Sequence, residues 1–323
     1  MKAIVHDTYG STDVLDLRTI DKPEIAAAEV LVNVRAAGVA RGDWHVMTGL
    51  PYPIRLAGYG VRTPKNPVLG MELAGVVAAI GTDVTRFAVG DEVFGIGREA
   101  YVEYARVLES KLAPKPVNLT FEQAAVTPVS GLTALQALRD KGRVQPGQEV
   151  LIIGASGGVG TFAVQLAKAF GARVTGVCST TKIDLVRTLG ADRVIDYTRE
   201  DFADGGQRYD IVLDIGGNSP LARLRRALVR SGTLVMVGGE TGGRWLGGFD
   251  RTLRALALSP FVSQQLTGLV NSENAEDLGV LAHLIDAGKV TPVVDRTYPL
   301  DETGKALRYL EEGHARGKVA ITI

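Results

Sequence analysis

Val30, Val32, Val34 and Ala36 alternate with Leu31, Asn33 and Arg35, the period of a strand that buries one face. Short β-prone runs recur on either side, at Ala3–His6, Glu29–Ala37, Gly75–Ile80, Glu92–Gly95 and Ala100–Ala105. Turn residues divide them, among them Tyr9-Gly10, Gly81-Thr82-Asp83 and Val89-Gly90-Asp91,. Residues 1 to about 125 therefore read as all-β. One irregular stretch interrupts them, from Ala40 to Leu69, where Pro51, Pro53, Pro64 and Pro67 stand among Trp44, Tyr52 and Tyr59. A long segment so rich in proline and aromatics is stiff, and suits the wall of a pocket or the cover of a core edge.

Near Thr120 the period changes. Helical patterns are expected at Phe121–Ala125 and Gly131–Asp140, followed by regular alternation of strand and helix. Strands are expected at Glu149–Ile153, Arg173–Val177, Arg193–Ile195, Ile211–Asp214 and Thr233–Val237, with helices between them that include Lys182–Leu189 and Leu221–Val229. Such alternation predicts a parallel, doubly wound sheet with right-handed crossovers. The tail reads helix Ala275–Ala287, strand Val293–Tyr298, helix Glu302–Glu312 and strand Val319–Ile323. The expected division is 1–122, 123–268 and 269–323, the last piece returning to complete the sheet of the first. A ligand would then occupy the cleft between domains.

The stretch that organises the chain is the strand Glu149–Ile153 and the turn behind it, Ala155-Ser156-Gly157-Gly158-Val159-Gly160. The spacing is that of a dinucleotide-binding turn, with Ala155 where the first glycine usually stands,. Gly157 lets the main chain approach a pyrophosphate, and Gly160 lets helix and strand pack closely. Free amides at the helix start face the phosphates with the helix dipole behind them. The acid that would bind a ribose 2′-hydroxyl is missing from the end of the second strand, which runs Cys178-Ser179-Thr180-Thr181-Lys182. Two hydroxyls and an ammonium suit a 2′-phosphate instead. The expected cofactor is NADP(H), with Ser179, Thr180 and Lys182 around that phosphate.

Composition narrows the class. The chain has 323 residues, with 36 basic and 36 acidic side chains and no net charge. No basic stripe points to nucleic acid. The single cysteine, Cys178, excludes a disulfide framework within the chain and any Cys-rich zinc site,. No apolar stretch reaches membrane-spanning length, and the opening Met1-Lys2-Ala3-Ile4-Val5 reads as a strand rather than a signal peptide,. A cytoplasmic protein is expected, without a membrane or nucleic-acid partner.

Several further motifs carry a resemblance: Gly70-Met71-Glu72-Leu73-Ala74-Gly75, Val89-Gly90-Asp91-Glu92-Val93-Phe94-Gly95, Pro128-Val129-Ser130-Gly131-Leu132-Thr133-Ala134, Leu189-Gly190-Ala191-Asp192, Val194-Ile195-Asp196-Tyr197 and Gly317-Lys318-Val319. With the glycine turn, they make the sequence resemble the medium-chain dehydrogenase/reductase superfamily, in its zinc-less, quinone oxidoreductase-like branch. The resemblance implies an α/β protein with a GroES-like, mostly-β domain and a doubly wound parallel-sheet Rossmann domain, commonly a homodimer. It places Tyr197 and Lys182 at the 2′-phosphate, and Val237, Gly238 and Gly239 at the nicotinamide amide. Thr127 and Thr133 fall beside the nicotinamide ribose, and Arg316 and Lys318 close to the cofactor. The superfamily's zinc ligands, Cys, His and Cys, fall on Ala40, Met71 and near Thr127, none of which replaces a thiolate or imidazole.

Without zinc, alcohol oxidation lacks the Lewis acid that stabilises the alkoxide. A quinone or enone needs less help, because it spreads the incoming charge. The expected function is therefore hydride transfer from NADPH to a quinone or α,β-unsaturated carbonyl, with Tyr52 and Tyr59 as candidate proton donors. The alternatives are a zinc-less aldehyde or alcohol dehydrogenase and a non-catalytic NADPH-binding sensor. Asp43 and Arg41 are weighed as substrate-positioning groups. Cys178 reads as a packed strand-end residue rather than a reactive thiol.

Overall fold

Eleven consecutive residues, Glu29–Val39, form the strand around which the first half of the computed structural model is built. The structure describes residues 1–204, 206–239 and 243–323. The expected alternation holds only over its middle, where Asn33 is half-buried and Arg35 exposed. Beyond them Ala36, Ala37 and Val39 are all buried, because this strand has partners from three directions. It pairs antiparallel with Glu72–Ile80, Tyr104–Leu108 and Lys318–Thr322. Register shifts between Leu31 and Val32 and between Val34 and Ala36 bend it around the core,. The tail strands do return to this sheet: Val294–Pro299 lies parallel to Lys318–Thr322 at one edge. At the other edge stand Glu92–Ile96 and Leu112–Pro114.

Two expectations shift, one of a strand and one of an irregular stretch. Ala100, Tyr101 and Val102 are buried but precede the strand, which begins at Tyr104. Their backbone serves two other segments, Tyr101 N donating to Leu69 O and Tyr101 O accepting from Ile4 N, both at 2.9 Å. The proline-rich stretch also contains a regular helix, Arg41–Thr48.

The second half is a six-stranded sheet, all parallel, in the order Arg193–Asp196, Arg173–Cys178, Glu149–Ile153, Tyr209–Asp214, Leu228–Met236, Gln265–Gly268. Chain order runs outward from Glu149–Ile153 on one side and resumes with Tyr209–Asp214 on the other. The switch point therefore lies between those two strands, where doubly wound folds bind ligands. Helix Gly158–Ala169 packs on the sheet through Phe162, Ala163, Leu166 and Ala167, all fully buried.

By contacts the chain divides into a first unit, Met1–Leu132 with Ser272–Gly288 and Pro292–Ile323, and a second, Thr133–Asn271 with Lys289–Thr291. The first boundary falls at 132/133 rather than the expected 122/123, because helix Phe121–Ala125 packs on strands Glu29–Val39, Glu72–Ile80 and Lys318–Thr322. The second falls at 271/272 rather than 268/269. Residues 289–291 join the second unit, where Gln165 Oε1 accepts from Thr291 N at 2.8 Å and its Nε2 donates to Thr291 O at 3.0 Å.

Candidate functional site

In the second unit, strand Glu149–Ile153 ends in Gly154, whose φ of 88° is open to glycine alone at little cost,. The chain then turns through Gly157 into helix Gly158–Ala169. Gly157 caps that helix with no side-chain hydrogen bond, so the first-turn amides of Gly158, Val159 and Gly160 have neither an intrahelical partner nor a side-chain cap. A Cβ on Gly157 would meet only Gly154 O, at 3.6 Å. Open space over first-turn amides is the setting in which helix N-termini bind anions. Gly160 differs: its Cβ would stand 2.1 Å from Gly154 O and 2.7 Å from Ala155 C, so it sets the close packing of helix and strand. Ala155 is a correction. Its side chain is fully buried and its amide donates to Val177 O at 3.1 Å, which leaves it nothing to offer a phosphate. Ser156 is nearly buried beside it.

The second strand ends at Cys178, which is 2% exposed, and burial pushes its thiol up to about 11. Ser179 follows, then the turn Thr180–Lys182. Register places Asp196 opposite Cys178, and Tyr197 N donates to Cys178 O at 3.2 Å. Lys182, half-buried, and Tyr197, largely exposed, thus stand just beyond adjacent strand ends. Thr180 is a further correction. Its hydroxyl donates to Asp196 Oδ2 at 2.5 Å, so its one proton is spent. Thr198 gives both Oγ1–H and N–H to Asp196 Oδ1, at 2.7 and 3.0 Å. The hydrogen bonds from Thr180 and Thr198 hold this carboxyl below its usual range.

Across the switch point, Val237 and Gly238 both donate their amides to Asp214 O at 3.1 Å. What these two have left to offer is carbonyl oxygen, the acceptor a carboxamide N–H seeks. The sequence reading missed what fixes this region. Arg251, from helix Phe249–Leu258, donates Nη2 to the fully buried Asp214 Oδ2 at 2.5 Å and to Ser219 O at 2.6 Å, and Nη1 to Gly217 O. Burial drives the Asp214 carboxyl up and Arg251 holds it down. Thr133, half-buried on helix Pro128–Gln136, also belongs to this unit.

The first unit holds a buried group of charges. Lys318 is 3% exposed, and its Nζ donates to Glu72 Oε1 at 2.6 Å and to Val39 O at 3.0 Å. Glu72 Oε2 accepts from Val129 N at 2.8 Å. The ammonium expected at the cofactor is thus committed to a buried carboxylate. Asp43 lies fully buried nearby, with Ala40 N and Tyr101 Oη donating to its Oδ2 at 2.7 and 2.9 Å. Its Oδ1 is buried with no hydrogen-bond partner. Burial pushes this carboxyl up to about 7, against the pull of the two donors. Lys318 and Glu72 already balance, so the cluster is neutral when Asp43 keeps its proton on Oδ1.

Thr127 Oγ1 donates to Gln123 O at 2.8 Å and is fully buried, so its hydroxyl is unavailable to a ribose. Arg316 carries an exposed side chain, and its amide donates to Asp295 Oδ2 at 3.0 Å. Of the two tyrosines, Tyr59 lines a recess of about 470 Å³ open to solvent, with Asp43, Val46, Val68, Met71 and Arg98. Tyr52 is not among its lining residues, and its ring instead lies 5.0 Å from the Arg55 guanidinium. At the expected zinc positions stand Ala40, Met71 and Thr127. Among the described residues no three His, Cys, Asp or Glu side chains converge to hold a metal ion. These residues do not fit a zinc site.

The two units are those of a GroES-like domain and a Rossmann domain. Residues 26–117 match the alcohol dehydrogenase GroES-like domain, and 189–321 match the zinc-binding dehydrogenase family. The chain is 34% identical to the 2-methylene-furan-3-one reductase of Solanum lycopersicum, over 99% of its own length and 79% of the relative's. It is also 34% identical to the chloroplastic NADPH-dependent alkenal/one oxidoreductase of Arabidopsis thaliana, with the same coverage. The Escherichia coli quinone oxidoreductase, solved in complex with NADPH, superposes with a TM-score of 0.85 at 28% identity, over the whole of both chains. The chain belongs to the medium-chain dehydrogenase/reductase superfamily, in its quinone oxidoreductase-like branch.

Proposed function

We infer that the protein is an NADPH-dependent oxidoreductase that reduces a quinone or an α,β-unsaturated carbonyl, and that it does so without zinc. One contrast carries this reading. The amide cradle at Gly157–Gly160 is complete, whereas Ala40, Met71 and Thr127 stand where a zinc enzyme needs its ligands. An isolated carbonyl gathers the incoming charge on one oxygen, and a metal would be worth several kcal/mol there. A conjugated acceptor spreads that charge and dispenses with the metal. The names of the tomato and Arabidopsis relatives support this acceptor class, and the E. coli structure supports the cofactor.

Reduced nicotinamide, when bound, supplies the hydride. The chain's part is to hold and orient. Gly158, Val159 and Gly160 offer amides to the pyrophosphate; Lys182 and Tyr197 flank the 2′-phosphate; Arg251 locks the turn at 214–219. For the proton, Tyr59 on the recess wall is preferred to Tyr52. A homodimer forms through the open edge of strand Gln265–Gly268 and helix Phe249–Leu258, whose Phe249, Leu253 and Leu256 are exposed. The test is NADPH consumption by protein stripped of metal, against an enone, a quinone and an aldehyde. Turnover of the first two alone is expected. Turnover of the aldehyde only, or activity restored by stoichiometric zinc, would refute the reading.

A further inference from the structure

The recess in the first unit carries a charge that the reaction described so far does not use. Arg98 lines it, and no carboxylate lies within ion-pair distance of its guanidinium among the described residues. Its nearest side-chain neighbour of note is the Tyr59 ring, 5.5 Å from guanidinium carbon to ring centroid. Elsewhere Arg18, Arg173, Arg193, Arg223, Arg251 and Arg308 each hold a carboxylate. Arg98 is therefore a cation placed in a recess with no ion pair among the described residues.

The turn that presents it is clamped. Gly97 N donates to Met71 O at 3.1 Å and Ala100 N to Gly70 O at 3.2 Å, while Tyr101 N donates to Leu69 O at 2.9 Å. Between these ties Glu99 is held at a φ of 71°, a left-handed conformation that costs a non-glycine residue about 1 kcal/mol or more. Strain kept by bonds on both sides is how a fold fixes the direction of a neighbouring side chain. Glu99 lines the recess too, and burial pushes its carboxyl up, as it does that of Asp43. The charge of Arg98 pulls the Glu99 carboxyl down against that burial, the Asp43 carboxyl is pushed up to about 7, and the pair Glu72 with Lys318 is self-balanced. Val46, Val68, Leu69 and Met71 make apolar walls, and Asn66 adds an amide to the lining.

We propose that the recess selects conjugated carbonyl substrates that carry an anionic group, a carboxylate or a phosphate, and that Arg98 receives it. An arginine fork pairs two oxygens of either group at once, which fixes orientation as well as position. This rests on the reductase reading above.

The test compares three enones that share one carbon skeleton and end, several methylenes from the enone, in a carboxylate, a phosphate or a methyl ester. Wild-type kcat/KM is expected to favour at least one anionic probe over the ester by about tenfold or more, mainly through KM, and the preferred anion identifies the source. In Arg98→Gln that ratio should fall to about one; Arg98→Lys, which keeps the charge but not the fork, should retain part of it. A ratio near one in the wild type, or one unchanged in Arg98→Gln, would overturn the selectivity while leaving the reductase reading intact. No turnover of any probe would overturn both.

Discussion

Asp43→Asn isolates the buried carboxyl at the floor of the recess. Asparagine keeps an oxygen for Ala40 N–H and Tyr101 O–H and removes only the ability to ionise. Burial pushes Asp43 up to about 7 from 3.8 in the unfolded chain. Between those values the folded chain holds a proton that the unfolded chain has released, so wild-type stability falls as pH rises through the window. The full span corresponds to about 4 kcal/mol, and the part between pH 5 and 8 to about 3 kcal/mol. His6 works the other way: burial lowers its affinity for protons, so its contribution is lost as pH drops below 6.5,. That effect is common to both proteins and cancels in their difference. Urea unfolding at several pH values, read from Trp44 in a Trp245→Phe background, gives the comparison directly. Wild type minus variant should decline by about 3 kcal/mol from pH 5 to 8. Parallel stability curves would refute the argument that Asp43 is protonated when the protein is folded.

Gly160→Ala should destabilise the second unit and lower its melting temperature by several degrees, because its Cβ would stand 2.1 Å from Gly154 O. Gly157→Ala should fold normally yet bind NADPH about tenfold more weakly by titration, since its Cβ enters only the open cradle. Lys318→Met leaves Glu72 buried without its cation, and chemical denaturation should show a loss of about 3–5 kcal/mol. Adding Glu72→Gln should recover much of it. Lys182→Asp should raise KM for NADPH far more than for NADH; equal effects would remove Lys182 from the 2′-phosphate. Gel filtration with light scattering should report a dimer, and Leu253→Glu with Leu256→Glu on the exposed helix face should shift it to monomer.

Much of this was legible in the residues themselves. Strand Glu149–Ile153 and helix Phe121–Ala125 lie where the pattern puts them. Each is marked locally, the first by an apolar run ending in glycine, the second by a Thr120–Gln123 capping box. Strands Asp16–Thr19 and Gln265–Gly268 carry no such mark. Both are four residues long, lie at sheet edges and take their structure from a partner. Helix Arg41–Thr48 was hidden because the surrounding prolines dominate the pattern; its cap is the Asp43 carboxyl group reaching back to accept from Ala40 N. The motif residues of the cradle could be recognised singly, but their availability could not. Thr180 is spent on Asp196, sixteen residues away, Ala155 on Val177 and Lys318 on Glu72, and each pairing arises only when distant strands are brought side by side. The same holds for the recess, where Asp43, Met71 and Arg98 meet from three separate segments.

The most direct measurement follows the hydride itself. NADPH deuterated at nicotinamide C4, incubated with the metal-free protein and an enone, should deliver deuterium to the β-carbon of the saturated ketone, with the carbonyl intact. Deuterium on the carbonyl carbon of an allylic alcohol, or none in any product despite tight NADPH binding, would contradict the account.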